Sequence, residues 1–565
     1  MAQMTGGEAL YRALLPEAVP FVFGVCGGKL SPFMKAVAGG NAIRYVGVRH
    51  EAHAGLMAAA IQAGSNRIAV AMAEAGPGAV NLAAGVAHAF NNNLAMLAIT
   101  SNNQQMASYP GRGMFMEMDN RALFQPIVKW NAVVHEPRRI PELVRTAFRQ
   151  ALSVRPGPVH LDIPQDVLGA LIEFDDSAFD VTPERYRPTG RPQADPALVA
   201  QAAKLLVSAQ RPLVIAGGGA VRAEAAEPLR TLAATLGAAV TTTQMGLGIF
   251  ADNMPGFAGQ GGVIGGEAVV RACREADVVL AVGCRFSSWM GDEKGALVRP
   301  PQKLIQIDID AASLGRVAEL AIGLQGDAQA VTGQLADALK GHRAGKEALA
   351  WRDHITQIRA GYRAKLTSMM AGSDLPMHPA ALAQEVGRCL PAGALVVHDG
   401  GHTSFWSNEL TPTSQPGTRF HDPGLSLLGY GLPYAVALKL DNPGVPVISI
   451  TGDGSFGFTL AELDTARRYG APVITVIHNN QVWGVIELAQ KKSEFSLGTD
   501  LSGTDYAAIA RGFGCHGETV TDLAQFAPAF KRALESGLPA VLDCRVRFVP
   551  HPAMPDFSKM GRYGM

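Results

Sequence analysis

Paired cysteines are missing from this chain. Its six cysteines (Cys26, Cys273, Cys284, Cys389, Cys515 and Cys544) are scattered, with no CxxC spacing, which speaks against a disulfide framework and a zinc site and fits a reducing cytoplasm. An excess of either charge is missing too. Lys plus Arg and Asp plus Glu stand at 49 each, so no basic surplus exists to release counterions from a nucleic acid or to hold an anionic membrane. A small-molecule substrate is the expectation, with no nucleic-acid or membrane partner. No stretch of about 18 apolar residues occurs, and the opening MAQMTGGE has no basic lead-in to an apolar run, so neither a membrane span nor export is expected. Low-complexity tracts are absent as well, and with 48% hydrophobic against 17% charged residues nearly the whole chain can offset its ordering entropy by burial.

What is present is alternation. At roughly 100 to 200 residues per domain, 565 residues predict about three domains. Short β-branched runs at 21–25, 68–73, 94–100 and 159–163 alternate with Ala-rich helical segments, the pattern of a parallel sheet covered by helices. TPERYRPTGRPQADP (182–196) carries four prolines, which remove donors and stiffen the chain; the first boundary falls there. A second unit follows, with strands at 213–216, 278–282 and 304–309 and Gly217-Gly218-Gly219 closing the first of them. That glycine cluster reads equally as a plain turn or a weak nucleotide signal. A charged helical stretch, about 341–371, leads to strands at 395–398, 447–451, 473–478 and 541–546. The fold class is therefore α/β, three doubly wound parallel-sheet domains at 1–183, 194–342 and 372–550, with a tail at 551–565.

The most specific motif lies in the third unit. Gly452-Asp453-Gly454 ends one strand and Asn479-Asn480 ends the next, so both open on one crevice of a parallel sheet. Asp453 offers a carboxylate, Asn480 a side-chain carbonyl and Val482 a backbone carbonyl. Hard oxygens of this kind suit Mg²⁺, provided phosphate oxygens and water complete the shell. Gly454 and Ser455 open the following helix, where their amides can face the same anion.

Together with RHEAHAG (49–55), GPVHLDIP (157–164) and NNQVWG (479–484), this pattern resembles the thiamine diphosphate-dependent enzymes over essentially the whole chain. The likeness is to acetolactate synthase, 2-hydroxyacyl-CoA lyase and benzoylformate decarboxylase, and most of all to benzaldehyde lyase. The resemblance implies a pyrimidine-binding first domain, a diphosphate-binding third domain and an altered nucleotide domain between them. It also implies a homodimer or homotetramer with each site shared between subunits. In such enzymes a carbanion/enamine is stabilised on the cofactor after loss of CO₂ or an aldehyde, and is then protonated or added to a second carbonyl. The implied reaction is that of a lyase or carboligase on 2-hydroxy ketones or 2-oxo acids. Alternatives are a 2-hydroxyacyl-CoA lyase or oxalyl-CoA decarboxylase-like enzyme, a simple 2-oxo acid decarboxylase, and a non-enzymatic partner protein of the same fold.

Carried over residue by residue, Glu51 matches the glutamate that hydrogen-bonds the pyrimidine. Ser426 and Leu428 fall where backbone groups meet the pyrimidine, with Leu428 as the bulky prop under the bent cofactor; core packing is its plain alternative. Pro77 and Asn81 are further cofactor-binding positions. His402, Thr403, Gly452, Gly454 and Ser455 fall on the diphosphate. Glu74 aligns with an active-site acid-base position, where an apolar pocket raises a carboxyl's pKa; otherwise it is a structural hydrogen-bonding group. Glu487 lies near a proton-transfer position. Cys26 and Lys29 stand where benzaldehyde lyase has histidines, and Phe115 near its acid-base glutamine. Lys29 is suited to a substrate carboxylate or phosphate, or equally to solvent at a subunit edge. The tail, with His551, Lys559 and Arg562, reads as a lid or a disordered terminus. Ser287-Ser288 replace an acidic pair in the middle domain, so FAD is not expected.

Overall fold

The computed structural model describes residues 2–108, 111–292, 295–370 and 375–554. Three six-stranded, all-parallel sheets follow one another along the chain. Edge to edge, the first runs Arg44–Gly47, Phe21–Gly24, Val70–Ala73, Leu97–Asn102, Val159–Pro164, Trp130–Val133. The second runs Phe257–Gln260, Ala239–Thr242, Pro212–Ala216, Val278–Val282, Lys303–Asp308, Ile322–Gln325. The third runs Arg419–His421, Leu395–His398, Val447–Gly452, Val473–Asn479, Ala540–Arg545, His516–Val520. Central strands are buried on both faces, which explains their continuous apolar runs.

Each sheet winds outward in both directions from its first strand. The winding reverses between Phe21–Gly24 and Val70–Ala73, between Pro212–Ala216 and Val278–Val282, and between Leu395–His398 and Val447–Gly452. At such a reversal the following helices diverge to opposite faces and leave a crevice beyond the strand ends.

The first and third sheets share a core. Helix Glu51–Ser65 packs between helix Pro77–Asn92 of its own unit and helix Gly431–Asp441 of the third, with Leu56, Ile61, Leu82, Val86, Val436 and Leu438 in one apolar cluster. The first two helices approach so closely that a Cβ on Gly55 would stand 2.8 Å from the Gly85 Cα; only glycine fits there. Arg67 pairs with Asp441, and His53 Nδ1 lies 2.6 Å from Glu462 Oε1 across the same boundary.

The charged helix expected at 341–371 is present as Lys346–Met369. Between Phe174 and Pro196 only single-turn helices at Asp176–Ala178 and Pro183–Arg185 occur. Among the described residues no helix is long and apolar enough to cross a membrane.

Candidate active site

The third sheet's crevice is a cavity of ≈ 340 Å³ lined by the segments 399–405, 426–428 and 452–455, by Asn480 and by 482–486. Asp453 starts the helix that leaves strand Val447–Gly452. Its Oδ1 accepts the Gly454 amide at 2.9 Å and its Oδ2 the Gln481 amide at 2.6 Å. Burial nevertheless pushes its carboxyl up to about 6 against those amides. Gln481 takes a left-handed turn, φ 61°, between Asn480 and Val482, and Asn480 Oδ1 accepts the Val482 amide at 3.1 Å. The three residues named from the sequence all line this cavity. Gly454 differs from expectation in one respect: its amide is engaged by Asp453 rather than turned to the cavity.

Among the described residues no group of three His, Cys, Asp or Glu side chains could hold a metal. One carboxylate, one amide oxygen and one peptide carbonyl make an incomplete set for a divalent cation, which fits a site finished by a ligand's own phosphate oxygens. The rest of the cavity suits such a ligand. His402 begins helix His402–Leu410, is buried, and has neither ring nitrogen bonded within the protein; burial lowers its pKa to about 4, leaving a neutral ring with one donor. Gly452 lies against Thr403, a Cβ there meeting its Oγ1 at 3.3 Å, and a Cβ on Gly454 would enter the Trp483 ring at 2.5 Å. The cradle is kept open by glycine.

Ser426 and Leu428 reach the cavity on a loop that the sequence reading does not account for. Asp422 organises it: Oδ1 accepts the Gly424 and Leu425 amides at 3.1 and 3.2 Å, and Oδ2 the Leu427 amide at 3.2 Å. From the first unit, His88 Nδ1 lies 2.8 Å from Oδ2 and Asn92 Nδ2 donates to Oδ1 at 2.6 Å. Burial alone raises this carboxyl, but the His88 contact and the amides outweigh it and hold it far below the usual carboxylate range. The Asp-Pro-Gly turn signal was the only hint in the sequence. Leu428 remains 36% exposed, so it projects from the loop and is not a core residue. Replacing Asp422 by alanine strands His88, Asn92 and three amides, and is expected to cost about 3–5 kcal/mol of stability, read from the denaturant midpoint.

The first unit holds the remaining residues. His50 caps helix Glu51–Ser65, accepting the Ala52 amide, so Glu51 stands at its first turn. Asn81, in the first turns of helix Pro77–Asn92, donates to Glu51 Oε2 at 3.0 Å. Pro77 opens that helix and is exposed, a position where a missing N–H costs nothing.

Glu74 does not sit in an apolar pocket. Its Oε1 pairs with Lys29 Nζ at 3.2 Å and its Oε2 accepts the Lys29 amide at 3.1 Å, so the carboxylate has an ammonium and a backbone amide as partners. Glu487 is likewise engaged: Thr499 and Ser496 hydroxyls donate to Oε2 at 2.5 and 2.8 Å, and Lys491 pairs with Oε1 at 2.7 Å. Hydrogen bonds from Lys491, Thr499 and Ser496 lower its pKa to about 2, which suits an anchor for the 493–500 loop and not a proton donor near neutrality.

The cavity walls come from the third unit and Trp289; Glu51, Glu74, Pro77 and Asn81 are not among them. Trp289 was not anticipated, since nothing in its local sequence points across a domain boundary. A second cavity, ≈ 510 Å³, lies at the middle sheet's reversal, lined by Gly218, Gly219, Arg222, Arg285, Asp308 and, from the first unit, Arg155. Of the tail, residues 555–565 lie outside the described residues, including Lys559 and Arg562. His551 is buried with its ring 4.5 Å from that of Trp406, docking the chain end on the helix that carries His402.

Three family models match in order: the N-terminal thiamine pyrophosphate-binding domain over residues 4–123, the thiamine pyrophosphate enzyme central domain over 199–335, and the C-terminal thiamine pyrophosphate-binding domain over 399–544. A probable acetolactate synthase large subunit of Methanocaldococcus jannaschii is 32% identical over 576 aligned positions, covering 99% of this chain and 94% of that one. The chain belongs to the thiamine pyrophosphate-dependent enzymes. It is of the acetolactate synthase type: the acetolactate synthase large subunit of Corynebacterium glutamicum is 32% identical (96% of this chain, 86% of that one) and the isozyme 2 large subunit of Escherichia coli K12 is 30% identical (95% of each). In this thiamine diphosphate-dependent enzyme the first and third units are the two that the models describe as cofactor-binding.

Proposed function

We propose that the enzyme is a Mg²⁺-dependent lyase or carboligase acting on 2-oxo acids or 2-hydroxy ketones, assembled as a homodimer or homotetramer. The observation that carries this reading is the division of the site. A diphosphate-and-cation crevice built by Asp453, Asn480, Val482, His402 and Thr403 is separate, within one chain, from the Glu51–Asn81 pair. A second copy supplies the missing half. Large apolar side chains stand exposed beside both halves, Val80 and Phe115 on the first unit and Leu428, Phe458 and Ile486 on the third, as an unfilled self-interface requires.

When bound, thiamine diphosphate would supply an electron sink that lets a carbonyl carbon, ordinarily an electrophile, act as a nucleophile. This chain's residues do the rest. Asp453, Asn480 and Val482 would hold the cation beside the diphosphate, His402 and Thr403 would offer neutral donors to that diphosphate, Leu428 would prop the cofactor, and Glu51, its carboxylate fixed by Asn81, would be the proton-exchanging group beside the pyrimidine.

Purified protein with the cofactor and Mg²⁺ is expected to convert pyruvate, an aromatic 2-oxo acid or an acyloin to products visible by mass spectrometry. No turnover of any of these ends the reading. In sedimentation, no monomer is expected at micromolar concentration.

A second reading, a 2-hydroxyacyl-CoA lyase, is favoured by the middle cavity, where Arg155, Arg222 and Arg285 suit a phosphorylated nucleotide. Burial and the neighbouring Arg155 and Arg316 lower the Arg285 pKa, with Asp308 opposing them, and Arg155 is itself paired with Asp310. Binding of CoA lost in Arg222→Ala, with cleavage of a CoA ester alone, selects it; FAD bound instead returns the cavity to the first reading.

A further inference from the structure

Lys29 and Glu74 lie across the reversal of the first sheet. Strand Phe21–Gly24 delivers the loop with Lys29, strand Val70–Ala73 delivers Glu74, and these are the two strands between which the winding changes direction. Glu51 follows the next strand over, Arg44–Gly47. A Cβ placed on Gly78 would be 3.3 Å from Glu51 Oε1 and 3.5 Å from Glu74 Cβ, so both glutamates border one spot. The third sheet's corresponding crevice holds the diphosphate site. The first sheet's crevice holds an ion pair instead.

That pair is built to aim the ammonium. One carboxylate fixes both the Lys29 amide and its Nζ, and Gly27 packs so tightly on it that a Cβ would stand 1.8 Å from Oε2. The Lys29 side chain is 13% exposed and that of Glu74 16%, neither freely solvated nor sealed. Besides Glu74, the ammonium faces only Met116 Sδ, a weak acceptor at 3.8 Å, and the Phe115 ring at 5.9 Å among the described residues. A lysine ammonium has three donors; donor capacity is left over, on the side where Met116 and Phe115 form an apolar wall.

We propose that Lys29 binds the carboxylate of the substrate, making the enzyme selective for anionic 2-oxo acids over neutral carbonyl compounds, with Glu74 as its positioning counter-ion. This rests on the reading of the Glu51 region as part of the active site. It also gives the two partners opposite roles toward an anion: the ammonium attracts it, and the glutamate competes with it for the ammonium.

The test uses holoenzyme whose cofactor loading is first verified by tryptophan quenching, so that a failure of the cofactor reading shows itself separately. Oxamate, an unreactive isostere of pyruvate, and its neutral ester methyl oxamate are titrated calorimetrically. Wild type is expected to prefer oxamate by roughly tenfold to a hundredfold, the worth of one charge-assisted hydrogen bond. Lys29→Met erases the preference and leaves methyl oxamate unchanged, Lys29→Arg keeps most of it, and Glu74→Gln tightens oxamate severalfold. A merely structural ion pair answers alike to loss of either partner, so equal weakening of both ligands in Lys29→Met and Glu74→Gln overturns the proposal. So does a preference that survives Lys29→Met, or wild type that does not distinguish the two ligands. Should Lys29→Met melt early, Glu74→Gln and Lys29→Arg still decide the sign.

Discussion

Asp453→Ala is expected to abolish binding of both Mg²⁺ and thiamine diphosphate while leaving the fold intact. In the proposed site the cation would have one carboxylate from this chain, with Asn480 and Val482 contributing only neutral oxygens, so removal of Asp453 would take away the one formal negative charge among these three ligands. Truncating one side of a buried charged contact costs about 2–5 kcal/mol, or roughly 30- to 4,000-fold in affinity. Because the proposed metal would be held by both the protein and the diphosphate, the loss is expected in both titrations. Calorimetry of the cofactor in excess Mg²⁺ measures it, with Asp453→Asn as the shape-preserving control. The pH dependence has a defined sign. Asp453 is held up to about 6 in the fold against an ordinary 3.8, so it binds its proton more tightly folded than unfolded, and the cofactor-free protein loses this contribution to stability as pH rises from about 4 to 6. The metal needs the carboxylate and runs the other way, its affinity falling as pH drops below about 6.

The residues around Asp453 were legible because their chemistry is compressed into two short motifs at adjacent strand ends. Central strands were legible for a related reason: burial on both faces forces unbroken apolar runs, as in VVLAV and VITVIHN. The sequence reading names neither edge strand of any of the three sheets. Arg44–Gly47, Trp130–Val133, Ile322–Gln325 and His516–Val520 are partly exposed, so polar residues interrupt the pattern that marks a strand. Phe257–Gln260 and Ala239–Thr242 are fully buried but too short and too rich in small or polar residues to stand out.

Side-chain roles were legible only where the partner was local. Glu487 looks like a free acid in its own helix; Ser496 and Thr499, which take its carboxylate, arrive from the following loop. Glu74 looks apolar in MAEAGPG, and its ammonium comes from a different strand's loop. Asp422 draws on His88 and Asn92 from another unit. For Glu74 and Asp422 the partners are long-range and nothing in the neighbouring sequence encodes them, whereas Glu487 also has a local partner, Lys491, one helical turn on.

Glu51→Ala is expected to do the reverse of Asp453→Ala: cofactor and metal bind with little change, and turnover falls about 10²- to 10⁴-fold, the range for loss of a positioned proton-transfer group. The carboxylate is poised by Asn81 at 3.0 Å and lies in the unit that does not carry the diphosphate crevice, so binding and proton transfer separate by residue. In the proposed assembly they also separate by subunit. If each site joins the first unit of one copy to the third unit of the other, a hybrid dimer of Glu51→Ala and Asp453→Ala chains has one doubly damaged site and one intact site. Two variants inactive on their own then recover activity when co-expressed. Sites contained within single chains leave every site damaged in the hybrid, and no activity returns. Recovery therefore measures the shared site directly, independent of which 2-oxo acid or ketol serves as substrate.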